Sequence, residues 1–387
     1  MKNVLTIIAL IVFATSLFTR SVDPVIPLIA HSLATDPTTV ALLSTAFALP
    51  FALIQPVLGV IGDLMGKTKL MKICLSILVA ATLACAFAPN FESLLAARIL
   101  CGLAAGGIFP VSLAVAGDLV PVAQRQVAIG RLLTAAMVGN LLGGSLAGVV
   151  GDLIGWRSVF FTTTVIGLAV LAATIISFRN RDIDKPSQLD LKSLLPNYLA
   201  IFRHPLAKYC FGAVFFEGVF ATGVFPYVAV LLFQGGETRA SIAGLILAGY
   251  GLGAALYGLS VSRLLTLLGE LGLMRVGAAL VAAGLLATAL RLPWPVEIAI
   301  FTVMGFGFYM LHGVIQIYST ELSPHARGSA TSLHSAAYFL GQASGPVFYG
   351  FSLAYAGVTP TLVVSAIGYA LVGLVCSLKL RRSVKSS

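Results

Sequence analysis

Twelve stretches of this chain, each 18 to 27 residues long, are almost free of charge. They lie near residues 4–30, 38–62, 70–88, 93–118, 128–150 and 158–178, and again near 209–233, 240–262, 273–290, 295–319, 329–351 and 360–378. A helix needs about 20 apolar residues to cross a hydrocarbon layer of about 30 Å, and these runs have that length. Their apolar residues do not alternate, which argues against barrel strands. In lipid each backbone N–H must find its partner within its own segment, so twelve membrane helices are expected.

Composition leads the same way. Hydrophobic residues make up 58% of the 387 and charged residues 10%, against roughly 25% in a soluble protein. Thirty-eight ionisable side chains, 24 basic and 14 acidic, could not cover a soluble globule of this length. The five cysteines, Cys74, Cys85, Cys101, Cys210 and Cys376, all sit in apolar runs without C-x-x-C spacing. Their pattern argues against a zinc site or disulfide framework and for small core residues. Lys2, an apolar stretch and the small residues Ala14 and Ser16 superficially resemble a signal peptide. Cleavage would remove half of span 1 and leave an odd number of helices, so an uncleaved first span is expected.

Orientation follows from where the basic residues fall. With the N-terminus inside, nineteen lysines and arginines lie in inner loops and helix ends, and only Arg157, Arg239 and Arg291 lie outside. Both termini are therefore expected in the cytoplasm, in the inner membrane if the source is bacterial. The same bias accounts for the net charge of +10 without a nucleic-acid partner.

One connection is long. Residues 179–208 carry nine charges and divide the chain into an N-terminal six-helix bundle, 1–178, and a C-terminal one, 209–387. Within this linker, apolar residues from Leu191 to Phe202 recur at helical spacing and fit a short helix on the inner membrane surface. The halves repeat. A shift of 202 residues carries Phe18 onto Phe220, Pro24 onto Pro226, Arg125 onto Arg327, Gly139 onto Gly341, Gly143 onto Gly345 and Gly148 onto Gly350. A slip of one more residue pairs Asp118 with Glu321, Gly66 with Gly269, and Leu70-Met71-Lys72 with Leu273-Met274-Arg275. Duplicated halves of this kind characterise secondary transporters.

The loop after span 2 reads GVIGDLMGKTKLMK, from Gly59 to Lys72. Gly66-Lys67-Thr68 also spells the end of a phosphate loop, but Ile61 stands where its first glycine belongs and a membrane helix stands where a strand is required. Span 4 carries Arg98, Gly102 and Gly106 on one helix face, and span 11 reads GQASGP, with Gly341, Gly345 and Pro346. Gly59, Gly62, Asp63, Gly66, Lys67 and Lys69 resemble the loop signature of the major facilitator superfamily. The R-x-x-x-G of span 4 and the G-x-x-x-G-P of span 11 resemble its twelve-helix drug/proton antiporter branch. That branch has its G-x-x-x-G-P in span 5, where this chain has Gly139 and Gly143 followed by Gly144 instead of proline.

The resemblance implies an all-α fold of two pseudo-symmetric six-helix bundles, with spans 1, 4, 7 and 10 lining the cavity. It also implies alternating access, with the Gly59–Lys69 segment as a gating loop. Gly102, Gly106, Gly139, Gly143, Gly341, Gly345 and Pro346 are read as helix-packing positions. Asp118 with Arg125, and Glu321 with Arg327, sit at inner helix ends in both halves and read as inter-domain latches.

Charges inside spans cost roughly 2.5–3.5 kcal/mol each at the bilayer centre and are expected to face protein or water. Arg20 and Asp23, three apart, are expected to share a helix face and to cluster with Arg98, leaving one surplus positive charge. Glu217 lies near the middle of span 7 with no basic residue within a turn or two along the chain. An acid that can take up a proton suits such a place, so Asp23 and Glu217 are the expected proton-coupling residues. His312 and His334 read as hydrogen-bonded core residues. No nucleophile–base pair and no metal-ligand spacing occurs in the spans, so an enzyme, a metal and a cofactor are not expected. The expectation is a monomeric proton-coupled exporter of small organic compounds, whose partners are its substrate, protons and the bilayer. A proton-coupled importer of a small organic anion and a non-transporting sensor remain as alternatives.

Overall fold

The computed structural model describes residues 2–120, 122–179, 191–323 and 327–380, and these are helical throughout with no strand. Among them, ten helices are long and apolar enough to cross a membrane. One of the ten, Ala240–Thr288, is two helices meeting at Gly269. The helix Arg327–Ala356 adds a twelfth span that is less apolar because serines, glycines, a histidine and Gln342 interrupt it.

The chain divides into two compact units. The first comprises Met1–Leu191 with Phe225–Ala248; the second comprises Lys192–Val224 with Gly249–Ser387. Residues 225–248 thus group with the first unit, although the internal repeat runs them with the second half.

The duplication is visible in the packing of each unit. In the first, a Cβ placed on Gly139 would collide with the carbonyl of Phe13, and one on Gly143 would lie 2.5 Å from that of Leu17. In the second, a Cβ on Gly341 would collide with the carbonyl of Phe215, and one on Gly345 would lie 2.5 Å from Gly223 Cα. Phe13 and Phe215 are themselves related by the shift of 202. Lacking side chains, these glycines let backbones touch, which is how helices gain packing energy where lipid offers no hydrophobic drive.

Two turns repeat as well. Gly66, at φ +97°, joins Pro37–Met65 to Lys67–Ala86, and Gly269, at φ +63°, joins the two parts of Ala240–Thr288. Only glycine adopts this left-handed region without steric cost.

The opening helix of each half breaks midway. Span 1 is helical over Lys2–Thr19, then turns through the 3-10 segment Asp23–Val25 into Ile26–Ser32. Span 7 is helical over Ala207–Glu217, widens to a π-helical turn at Gly218–Thr222, and resumes at Phe225–Gln234. Pro24 and Pro226 lack the N–H that a continuous helix requires. This corrects one expectation: Arg20 and Asp23 do not share the face of an unbroken helix, because the helix has ended before either of them. The linker forms the helix Leu191–Arg203, and Phe202 at its end meets Phe211 of span 7 edge-on at 5.8 Å.

Candidate functional site

The break in span 1 builds the polar cluster of the first unit. Where the helix ends, the carbonyl of Phe18 has no helical partner, and two side chains take it: Ser21 Oγ at 2.9 Å and Arg98 Nη1 at 3.4 Å. Arg98 also donates through Nε to the carbonyl of Leu43 at 3.4 Å and lays its guanidinium over the Phe47 ring at 4.6 Å. Gly102, one turn further on, sets the backbone of span 4 against the Phe47 carbonyl, so the two helices run close enough for Arg98 to reach. Arg98 is 2% exposed, and its Nη2 has no hydrogen-bond partner among the described residues.

Asp23 is buried beside this group. It accepts from Ser44 Oγ at 2.6 Å on one oxygen and from Arg20 Nη1 at 3.4 Å on the other. Arg20 in turn stands 4.8 Å over the ring of Phe225. The structure therefore joins Arg20 to Asp23 but gives Arg98 carbonyls and an aromatic face as its partners. The three do not form one ion cluster.

The second unit holds a different arrangement. Glu217 ends the first segment of span 7 directly before the π-helical turn, an irregularity frequent at functional sites. Its side chain is 0% exposed. Oε2 lies 2.8 Å from His312 Nδ1, and Oε1 accepts from the Tyr369 hydroxyl at 3.3 Å. His312 Nε2 lies 3.5 Å from His334 Nε2, and His334 Nδ1 lies 3.0 Å from Ser319 Oγ. His312 and Ser319, two helical turns apart, present one face of Trp294–Glu321, and Phe308, one turn before His312, stacks on its ring at 5.0 Å. No lysine or arginine pairs with Glu217 among the described residues.

The sequence alone treated Glu217 as isolated and the two histidines as core. It carried no signal that spans 7, 10, 11 and 12 would turn these side chains toward one another. The side chains run in a row instead of converging. Among the described residues no group of three His, Cys, Asp or Glu side chains could hold a metal ion.

Of the other expected positions, the side chain of Asp63 and the pair Asp118 and Arg125 lie outside the described residues. Glu321 and Arg327 are exposed at the facing ends of their helices. Gly106 packs on the Phe51 carbonyl, where an added Cβ would lie at 2.7 Å. Glu297 is buried in the first turn of its helix and accepts from Thr288 Oγ1 at 3.2 Å. The five cysteines are free and buried.

The family model of the Major Facilitator Superfamily matches residues 8–238 and 211–387. The chain belongs to the major facilitator superfamily. As a superfamily member with this many apolar helices it is a multi-pass integral membrane protein. An uncharacterized MFS-type transporter of Bacillus subtilis (strain 168), YfhI, is 25% identical over 254 residues, 65% of this chain and 62% of that protein. The putative multidrug resistance protein MdtD of Salmonella heidelberg (strain SL476) is 27% identical over 308 residues, 80% of this chain and 61% of that protein. The chain thus spans about three fifths of the length of these curated relatives. Among solved structures, a D-xylose–proton symporter superposes with a TM-score of 0.75 at 15% identity, covering 98% of this chain and 96% of that one. A bacterial homolog of the human lysosomal transporter Spinster gives 0.74 at 17%, covering 99% and 98%. Both likenesses establish the superfamily fold and nothing finer.

Proposed function

We propose that this superfamily transporter exports small organic compounds in exchange for protons, by alternating access. The observation that carries the reading is Glu217: a carboxyl with no exposure, in an apolar span, held by an imidazole and a phenol instead of a fixed cation. An ionised acid there costs roughly 2.5–3.5 kcal/mol, and taking up a proton removes most of that cost. Proton binding and release at Glu217 then shift the balance between the two access states. Asp23, tied to Arg20, is the second candidate, and Arg98 acts as a fixed positive charge. The Gly59–Lys69 loop gates, and the Asp118–Arg125 and Glu321–Arg327 pairs latch the inner ends. The likeness to MdtD favours small organic compounds as cargo.

A second reading rests on Arg98. A buried guanidinium with an unoccupied N–H suits an anionic group, so proton-coupled uptake of a small organic anion would use it.

The test is transport in proteoliposomes under an imposed pH gradient, with a fluorescent cationic dye and a labelled organic anion as probes. Wild-type protein is expected to drive the dye against its gradient. Glu217→Gln, which copies the protonated acid in shape, should keep downhill exchange and lose gradient-driven accumulation. Uphill transport by Glu217→Gln with an unchanged pH profile would make Glu217 structural and leave Asp23. If neither acid matters, proton coupling is wrong and both readings fall. Uptake of the anion driven by the pH gradient, with no transport of the dye, selects the second reading.

A further inference from the structure

Glu217 is one end of a continuous line of polar atoms. Its Oε2 meets Nδ1 of His312, Nε2 of His312 meets Nε2 of His334, and Nδ1 of His334 meets Ser319 Oγ, at 2.8, 3.5 and 3.0 Å. Two imidazole nitrogens that face each other can share one proton; without it, two lone pairs meet in a buried place, an arrangement that favours taking one up. His334 and Ser319 are as sealed as Glu217, at 2% and 0% exposure. The side chain of His312 is 14% exposed, and it is the one member of the row that a proton can reach from outside.

The neighbours leave the row to itself. Tyr309 of span 10 and Tyr338 of span 11 flank the His312 ring at 6.3 and 5.1 Å. Tyr369 of span 12 bonds Glu217, and Tyr250 of span 8 lies against Phe308 at 5.7 Å. Among the described residues, the thiol of Cys210 lies beside Ser319 and that of Cys376 near Glu217. Phenols and thiols have ordinary pKa values of about 10 and 8.5, against about 6.5 for imidazole. The internal repeat did not supply this machinery twice: the shift of 202 carries Glu217 onto Thr15 and His334 onto Leu132.

We propose that His312 and His334 form a single proton-carrying row with Glu217, in which His312 admits the proton. The proposal rests on the reading of Glu217 as the coupling acid and deepens it. In the proton-free state, Nδ1–H of His312 donates to the Glu217 carboxylate and Nδ1–H of His334 donates to Ser319 Oγ. An incoming proton bonds to the lone pair on Nε2 of His312, and the new N–H donates to Nε2 of His334. Nδ1 of His312 then hands its proton to Oε2 of Glu217. One proton has entered and none has left, and the row passes from one negative charge to none. Because the sites interact, the transition belongs to the row and not to any one residue.

The test needs no substrate. Wild-type protein in lipid nanodiscs is followed by infrared pH-difference spectroscopy of the protonated-carboxyl stretch, assigned by its loss in Glu217→Gln. Nitrogen-15 NMR reads the ring protons of His312 and His334 in a variant that replaces only His31, His204 and His325 by glutamine. The carboxyl band and the His312 ring signals are expected to change over the same pH interval, with the His334 signals following. His312→Gln and His334→Gln should each move the carboxyl midpoint by about one pH unit or more. A carboxyl band that titrates while the His312 signals stay fixed overturns the row and leaves Glu217 as a lone carrier. An unmoved midpoint in both variants does the same. If no band assignable to Glu217 changes with pH, the coupling reading itself fails, and the row with it.

Discussion

Arg98 and Glu217 meet burial in opposite ways because their chemistry differs. A guanidinium stays charged at any pH a protein survives, so Arg98 has to be satisfied where it stands, by two carbonyls and the Phe47 ring. A carboxyl can escape its charge by taking a proton, so Glu217 is held by groups that tolerate both forms. Outside the spans the rules are ordinary. In the segment before Ala240, Glu237 accepts from Arg239 through Nε at 2.8 Å and Nη2 at 2.6 Å. The Arg239 hydrogen bonds hold its carboxyl down from 4.5 to about 2. Because the folded value is the lower one, the contribution of the pair is complete above about pH 4.5 and is lost as pH falls toward about 2. A carbon-13 NMR titration of the Glu237 carboxyl should give a midpoint near 2; one near 4.5 would mean that the pair does not form in solution.

Among the elements, glycine positions divide into those that carry a helix contact and those that do not. A Cβ at Gly341 runs into the Phe215 carbonyl, a backbone atom that cannot rotate away, whereas a Cβ at Gly258 meets nothing within 4 Å. Gly341→Ala is expected to lose about 1–3 kcal/mol through overpacking. Gly258→Ala, at an exposed position inside a span, is expected to be neutral or to gain up to about 1 kcal/mol from helix propensity. Thermal unfolding in detergent checks both, and equal effects would remove the close contact from the account. The breaks in spans 1 and 7 belong to this scale as well. They free the backbone groups that Ser21 and Arg98 bind in the first unit, and in the second they place Glu217 at the mouth of an irregular turn.

For the molecule as a whole, the distribution of basic residues carries an expected orientation. With nineteen on one side against three on the other, both termini and the 179–208 linker are expected inside the cell. The five native cysteines are buried, so an introduced surface cysteine labels alone. In intact cells, an impermeant maleimide is expected to label Glu237→Cys and to spare Ser187→Cys and Lys385→Cys. Labelling of either of the latter two from outside would invert the topology.

The twelve spans, the duplication and the superfamily were all legible in the residues, because each depends on a local or periodic property. Hydropathy sums over about 20 neighbours. A repeated glycine or proline imposes the same local geometry wherever it recurs, as Gly66 and Gly269 do with their positive φ. The acid at 217 and the arginine at 98 were legible too, since a charge in an apolar run stands out against its surroundings. Their partners were not. His312 lies 95 residues from Glu217 and Tyr369 lies 152 away, and Arg98 bonds carbonyls 55 and 80 residues distant. Which side chains meet depends on how each helix is rotated about its axis when it packs. That rotation is set by the summed contacts of several spans and by the breaks within them, which no window along the chain contains. For this reason two histidines that read as core residues stand in line with Glu217, His312 against it and His334 behind, and an arginine that read as the partner of Asp23 is bound to backbone instead.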